Sequence, residues 1–202
     1  MAFTFFFRDK QTLDLISEHL IPSISGNRET YLWDAGCATG PEPYSLAIVL
    51  AETMDRSAFA KIKVDATDFD PTDQFGKIIT EGSYPVDQVK RMPKPILEKY
   101  FHPDSEKSRY RIDDMIKNRV VFKKHDLLTL KPIRNNYNLI VCKNVLLHFQ
   151  YAERVDVIKM FHRSLKTGGF LAMEHTQKMP EELASQFTQV TRSAQLYQKV
   201  ES

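Results

Sequence analysis

The run Tyr31-Leu32-Trp33-Asp34-Ala35-Gly36-Cys37-Ala38-Thr39-Gly40, continuing into Pro41-Glu42-Pro43-Tyr44-Ser45-Leu46-Ala47, constrains the fold more than any other part of the chain. Its apolar start reads as a strand, its glycines as a turn, and Pro41 as the opening of a helix. Such a turn lets the backbone approach a ligand closely, and the helix N-terminus beyond it offers unpaired N–H groups. A nucleotide-like ligand is the natural expectation. The glycine spacing alone is weak evidence, because it lacks the middle glycine of G-x-G-x-x-G and an ordinary strand-to-helix turn reads the same way.

A second apolar run, Ile62-Lys63-Val64-Asp65-Ala66-Thr67, ends on the acidic pair Asp68 and Asp70. Asp68 falls where a second strand delivers a carboxylate to a ribose. Taken alone, it reads equally well as a cap for a helix opened by Pro71.

Strand and helix signals alternate along most of the chain, the pattern of an α/β fold with a mainly parallel sheet. Leu13, Ile16, Leu20 and Ile21 predict a helix before Pro22. Pro71 is expected to open a helix through Phe75 and Ile78 to Gly82, and a further helical stretch runs from Val86 through Leu97 to Phe101. The segment 102–118 breaks the rhythm and reads as a small antiparallel excursion around Arg109-Tyr110-Arg111-Ile112. Beyond it come Val120-Val121-Phe122, Leu139-Ile140-Val141-Cys142, a helix from Ala152 to Leu165, and Phe170-Leu171-Ala172-Met173. Four parallel strands are expected to point their C-terminal ends at one edge. Phe187–Thr191 and Leu196–Val200 then read as a closing antiparallel hairpin, a habit of S-adenosylmethionine-dependent methyltransferases rather than of nicotinamide dehydrogenases.

Composition narrows the function classes. The 202 residues are 42% apolar and 11% aromatic, which fits one folded domain rather than a disordered chain. Twenty-eight basic against 26 acidic side chains give a net charge of +2, too balanced to mark a nucleic-acid binder. Cys37 and Cys142 read as reduced thiols of a cytoplasmic protein. No apolar run reaches the roughly 20 residues that cross a bilayer, so neither a signal peptide nor membrane insertion is expected. His125 and His175 have no second ligand at metal spacing, and no metal site is predicted.

Several ordered motifs together resemble the CheR-type chemotaxis receptor glutamate methyltransferases. Thr4-Phe5-Phe6-Phe7-Arg8 is similar to the family's T-x-F-F-R, Ala35 through Ser45 to A-G-C-S-T-G-E-E-P-Y-S, and Ala66-Thr67-Asp68-Phe69-Asp70 to A-T-D-I-D. His125-Asp126-Leu127-Leu128 is similar to the N-L-L segment and Cys142 through Phe149 to C-R-N-V-x-I-Y-F. The resemblance spans essentially the whole chain. It implies a Rossmann-like domain over 1–202 with a small β-subdomain at about 102–118, and S-adenosyl-L-methionine as cofactor with S-adenosyl-L-homocysteine as product. It also implies carboxyl O-methylation of a glutamate-bearing protein as the reaction.

Carried over position by position, the resemblance assigns Thr4 and Arg8 to the methionine end of the cofactor and Gly36 and Glu42 to contacts at the glycine turn. Asp68 is assigned to the ribose hydroxyls, Asp126 and Leu127 to the adenine, and Lys143 and Asn144 to the neighbourhood of the transferred methyl. Arg8, Lys143 and His148 are the candidate catalytic residues. Methyl transfer to an ionised glutamate, with a pKa near ~4.3, needs no general base. Arg8 is the natural group to hold that carboxylate in line, because guanidinium pairs with carboxylate through two parallel hydrogen bonds. Of Phe5, Phe6 and Phe7, at least two are expected in the core.

The departures from the family pattern gather on the acceptor side. Lys143 stands in place of arginine, His148 in place of tyrosine, Pro41 in place of a glutamate, and Glu174-His175-Thr176-Gln177 in place of H-S-E-N-F. The helical N-terminal domain of the chemotaxis enzymes is expected to be lacking, since the chain begins almost at T-x-F-F-R. Two alternatives to a glutamate methyltransferase stay open on the sequence. One is a methyltransferase with a different acceptor, a small molecule or another protein; the other is a non-catalytic sensor of S-adenosylmethionine or S-adenosylhomocysteine.

Overall fold

The computed structural model describes residues 4–104 and 108–200. In chain order the elements are α1 (Lys10–Ser23), β1 (Thr30–Ala35), α2 (Pro41–Thr53), α3 (Arg56–Phe59), β2 (Ile62–Asp68), α4 (Phe75–Glu81), β3 (Ser83–Pro85), α5 (Val86–Val89) and α6 (Lys94–Tyr100). They continue with β4 (Phe101–Pro103), β5 (Arg109–Ile112), α7 (Asp114–Lys117), β6 (Val120–Lys124), β7 (Tyr137–Cys142), α8 (Tyr151–Ser164), β8 (Leu165–Met173), β9 (Phe187–Gln189) and β10 (Gln195–Lys199).

The main sheet is seven-stranded in the order β6-β2-β1-β7-β8-β10-β9. Five strands rather than four run parallel, β6 through β8 in that order, and β10 pairs antiparallel with both β8 and β9. The closing hairpin is therefore present, with a Rossmann-like α/β sheet before it. After β1 the chain builds outward to β2 and β6, then crosses back to lay β7 on the other side of β1. The reversal falls between β1 and β7, and open α/β sheets bind ligands in the crevice such a switch point creates.

Strand alternation sends neighbouring side chains to opposite faces, so each parallel strand feeds two cores. Leu32, Val64, Leu139 and Phe170 pack on one face with Leu13, Ile16 and Leu20 of α1 and Leu46 and Leu50 of α2. Trp33, Ile140 and Leu171 pack on the other with Val157, Ile158 and Phe161 of α8. Trp33 is fully buried, and its indole N–H donates to Thr67 Oγ1 at 2.8 Å, which satisfies the one polar atom that burial would otherwise strand.

The small antiparallel sheet, in the order β3-β5-β4, reaches further back than the excursion expected at 102–118, since its first strand begins at Ser83; residues 105–107 of that excursion lie outside the described residues. Phe6 wedges it against the main body with its ring edge-on to Tyr84 at 5.0 Å and to Phe101 at 5.2 Å. Tyr84 Oη donates to Thr39 O at 2.8 Å, which ties the small sheet to the glycine turn. Phe6 is the one member of Phe5-Phe6-Phe7 that is fully buried; Phe7 packs against the core only in part and Phe5 is half-buried, fewer than expected.

Two helix boundaries correct the sequence reading. α4 starts at Phe75, not at Pro71, because the Asp70 carboxylate takes the N–H groups of Gln74 at 3.0 Å and Gly76 at 3.2 Å, holding 71–74 in a turn. Asp70, not Asp68, is thus the acidic cap. The stretch expected to be helical from Val86 to Phe101 is two short helices, interrupted at Met92-Pro93, where proline disfavours a helical residue before it. Its end, Phe101, belongs to β4.

Candidate functional site

Two adjoining cavities open at the C-terminal ends of the parallel strands. The larger, of about 490 Å³, is walled by Thr4 and Arg8 of the N-terminal segment, Gly36 to Ala38 after β1, Glu42 of α2, Asp68 at the end of β2, and Lys143, Asn144, Val145, Leu147 and His148 after β7. The second, of about 330 Å³, lies between Thr67, Asp68 and Phe69 on one side and His125, Asp126, Leu127, Leu128 and Phe149 on the other. Gly36, Asp68 and Val145 belong to both, so the two form one elongated crevice bent around the glycine turn. Every candidate named from the sequence lines one part or the other: Thr4, Arg8, Gly36, Glu42, Asp68, Lys143, Asn144 and His148 the first, Asp126 and Leu127 the second.

The turn has the backbone its glycines require. Gly36 sits at φ +105°, and a Cβ there would stand 2.1 Å from Val145 Cγ2. Gly40, at φ +99°, precedes Pro41 at the first position of α2. Asp68 braces the loop between them: its Oδ2 accepts from Ala38 N at 2.9 Å and its Oδ1 from Asp70 N at 3.2 Å. A carboxylate has about four acceptor sites, so capacity is left for ligand hydroxyls.

Electrostatics at the larger cavity centre on Lys143. Its Nζ lies 3.2 Å from Asp9 Oδ2 and 3.3 Å from Glu42 Oε1, with only 2% of the side chain exposed. Burial pushes the Lys143 pKa down, but the facing carboxylates of Glu42 and Asp9 more than reverse this and leave it raised. The ammonium therefore stays charged and points into its ion pairs. Glu42, in the first turn of α2, has its own pKa raised by burial, against the opposing pull of Lys143. Asp34, at 2% exposure, is pushed well above the usual carboxylate range by burial and by its neighbours Glu42 and Asp68, with Lys143 opposing. Burial, with Asp34 and Asp68 nearby, likewise keeps Cys37 a thiol.

Arg8 is brought to this cluster by the N-terminal segment, whose Phe7 and Asp9 both take left-handed backbone, at φ 57° and 54°. Phe7 N donates to Ser45 Oγ at 2.8 Å, and Arg8 Nη2 donates to Asn144 Oδ1 at 2.7 Å. Asp9 Oδ1 accepts from Thr12 N as the cap of α1, so one carboxylate starts a helix and pairs with Lys143. His148 ends a short 3-10 turn at the rim and is exposed.

Sequence reasoning missed Asp9 and Glu174. Asp9 adjoins Arg8, but nothing in a lone acidic residue after an arginine announces a pairing with the end of a distant strand. Glu174 directly follows β8, and its place at a parallel strand's C-terminal end was a usable signal.

The crevice suits an S-adenosylmethionine-like group. Glu42 lines the larger cavity with 18% of its side chain exposed, so its carboxylate reaches the crevice while its Oε1 faces Lys143, and a ligand ammonium would meet a negative wall there. Asp68 presents acceptors where the two cavities join, and the second cavity has apolar walls wide enough for a base.

The family profile for the CheR methyltransferase SAM-binding domain matches residues 2–196. The chain is 30% identical over 182 residues to a chemotaxis protein methyltransferase of Borreliella burgdorferi, covering 86% of this chain and 63% of that one. It is 29% identical over 175 residues to the chemotaxis protein methyltransferase Cher2 of Pseudomonas putida, covering 83% of this chain and 62% of that one. The chain thus spans less than two thirds of either relative. Among solved structures, PKMT2 from Rickettsia typhi, determined in complex with AdoHcy, matches with a TM-score of 0.52 at 14% identity, covering 87% of this chain and 27% of that one, a likeness of fold.

Proposed function

Because the chain belongs to the CheR methyltransferase family, we propose that it transfers a methyl group from S-adenosylmethionine to the side-chain carboxylate of a protein glutamate. One observation carries this reading: Arg8, Glu42 and Asp68 stand on a single crevice at the sheet's switch point, a cation and two carboxylates matched to the charged and hydroxyl groups of such a cofactor and its acceptor.

When bound, S-adenosylmethionine supplies an electrophilic methyl on a sulfonium. Asp68 would take the ribose hydroxyls, Glu42 the methionine ammonium, and Thr4 with Arg8 the methionine end. Asp126 and Leu127 would flank the adenine. Arg8 also lines the larger cavity, where its guanidinium would hold a carboxylate oxygen on the line of attack. Alignment of that kind supplies up to ~7–11 kcal/mol of a barrier. No proton has to move, since the acceptor is already ionised at neutral pH.

Lys143 has a supporting part in this scheme. Its ammonium is engaged by Asp9 and Glu42, so it holds those two carboxylates in place and leaves the acceptor to Arg8 and the rim residue His148. The chemotaxis protein methyltransferases among its relatives support a receptor as the acceptor.

The test is transfer of labelled methyl from S-adenosylmethionine to the cytoplasmic fragment of a chemoreceptor and to a cell lysate. Base-labile label on the receptor fragment supports the reading; label confined to base-stable products, or none in either sample, overturns it.

A further inference from the structure

We infer that Glu174 is a positioning residue for Arg8, acting through the backbone of Asn144, an inference that rests on the proposed function of the same site. Glu174 follows β8 directly, and the parallel register sets Met173 beside Cys142, which brings Glu174 alongside the residues that follow β7. Its Oε2 accepts from Asn144 N at 2.8 Å. Asn144 is in the left-handed region at φ 61°, and its Oδ1 receives Arg8 Nη2 at 2.7 Å. A continuous chain thus runs from the end of β8, through a left-handed asparagine two residues past β7, to the guanidinium.

Glu174 is only 6% exposed and does not line the crevice itself. Its second oxygen, Oε1, is buried without a hydrogen-bond partner among the described residues. Burying a carboxylate for a single backbone N–H is costly, and an apolar side chain would fill the same space more favourably. What the carboxylate does there is hold the Asn144 N–H toward β8. That bond keeps the left-handed turn, and the turn aims the Asn144 amide at Arg8. Asparagine adopts left-handed backbone more readily than other side-chain-bearing residues, and the Glu174 carboxylate on its N–H fixes which way the turn faces.

Glu174→Ala should release the turn and let Arg8 drift, whereas Glu174→Gln keeps an oxygen for the Asn144 N–H. The experiment measures methyl transfer, cofactor affinity, and the side-chain nitrogen resonance of Arg8, assigned by its loss in Arg8→Lys, in the full chain and in each variant. Glu174→Ala is expected to lower kcat about tenfold or more, since small misplacements of an aligning group have effects of this order. It should show the same split between kcat and cofactor affinity as Arg8→Ala. The Arg8→Ala/Glu174→Ala pair should be no slower than Arg8→Ala alone. The Arg8 resonance should stay resolved in the wild type and in Glu174→Gln and collapse in Glu174→Ala. Additive losses in the double variant, or an Arg8 resonance unmoved by Glu174→Ala, would overturn the inference. Were the wild type to transfer no methyl at all, the proposed reaction would fall and the Arg8 resonance would still decide this point.

Discussion

Lys143 Nζ stands 3.2 Å from Asp9 Oδ2, so the residue after β7 grips the residue that caps α1. One position on from Lys143 and one position back from Asp9 the contact repeats, with Asn144 Oδ1 accepting from Arg8 Nη2 at 2.7 Å. Two consecutive residues of the N-terminal segment are thereby fastened to two consecutive residues at the sheet edge. This double clasp carries Arg8 to the crevice across a sequence separation of 136 positions.

Lys143→Met should be strongly destabilising, because it removes the buried ammonium that pairs with both Glu42 and Asp9 and leaves only Arg8 to oppose their repulsion. Breaking a buried pair costs about 3–5 kcal/mol, and the partial exposure of Asp9 puts the expected loss at the lower end. Adding Glu42→Gln should recover part of it. Urea unfolding of the single and double variants checks both, and equal stability of Lys143→Met and wild type would show that the pair carries no weight.

Asp34 makes stability fall as pH rises. Burial raises its folded-state pKa above the ordinary aspartate value of ~3.9, so the folded chain binds the proton more tightly than the unfolded chain does. The associated stabilisation is complete below the unfolded value and is lost as pH climbs through the raised folded one. Asp34→Asn removes this dependence. Thermal unfolding across the acidic range should therefore show the variant gaining on wild type with rising pH; a constant difference would contradict the assignment.

Gly36→Ala should damage the crevice more than the fold. The position is in a left-handed conformation, which costs an L-residue roughly 1–3 kcal/mol, and the added Cβ would meet Val145 Cγ2 at 2.1 Å. Val145 walls both cavities, so its displacement reaches both ends of the ligand. Calorimetric titration with S-adenosylhomocysteine should show affinity lost in protein that still unfolds cooperatively.

Arg8→Ala should reduce turnover roughly 10²-fold while weakening cofactor binding far less, the signature of an aligning group. Arg8→Lys keeps the charge but not the planar fork, and should recover little. Steady-state kinetics beside direct cofactor titration separate the two effects, and an equal loss in both would make Arg8 only a cofactor clamp.

Most of the sheet and nearly all of the crevice lining were legible from the chain. Leu139 to Cys142 is a continuous apolar run, as a strand buried on both faces must be, Leu32 to Ala35 is one but for Asp34, and ligand residues of this fold sit at strand ends. The start of α4 was not legible, because Pro71 is a strong local signal and the capture of the Gln74 and Gly76 N–H groups by Asp70 depends on a φ of 41° that sequence does not display. The first strand of the small sheet was missed for a related reason: Ser83-Tyr84-Pro85 has no strand signal of its own and is extended because Arg109 to Ile112 pairs with it. Lys143 lines the crevice just past β7. The direction of its ammonium, into Asp9 and Glu42, follows only from the clasp.

On the proposed function, Asp68 and Glu42 hold S-adenosylmethionine in the joined cavities. Calorimetric titration of the wild-type chain and of Asp68→Ala with S-adenosylhomocysteine decides this. Saturable binding to the wild type, weakened in Asp68→Ala by the ~1.5–3 kcal/mol that a charge-assisted hydrogen bond contributes, is the predicted result. No binding to the wild type, or an affinity unchanged in Asp68→Ala, would contradict it.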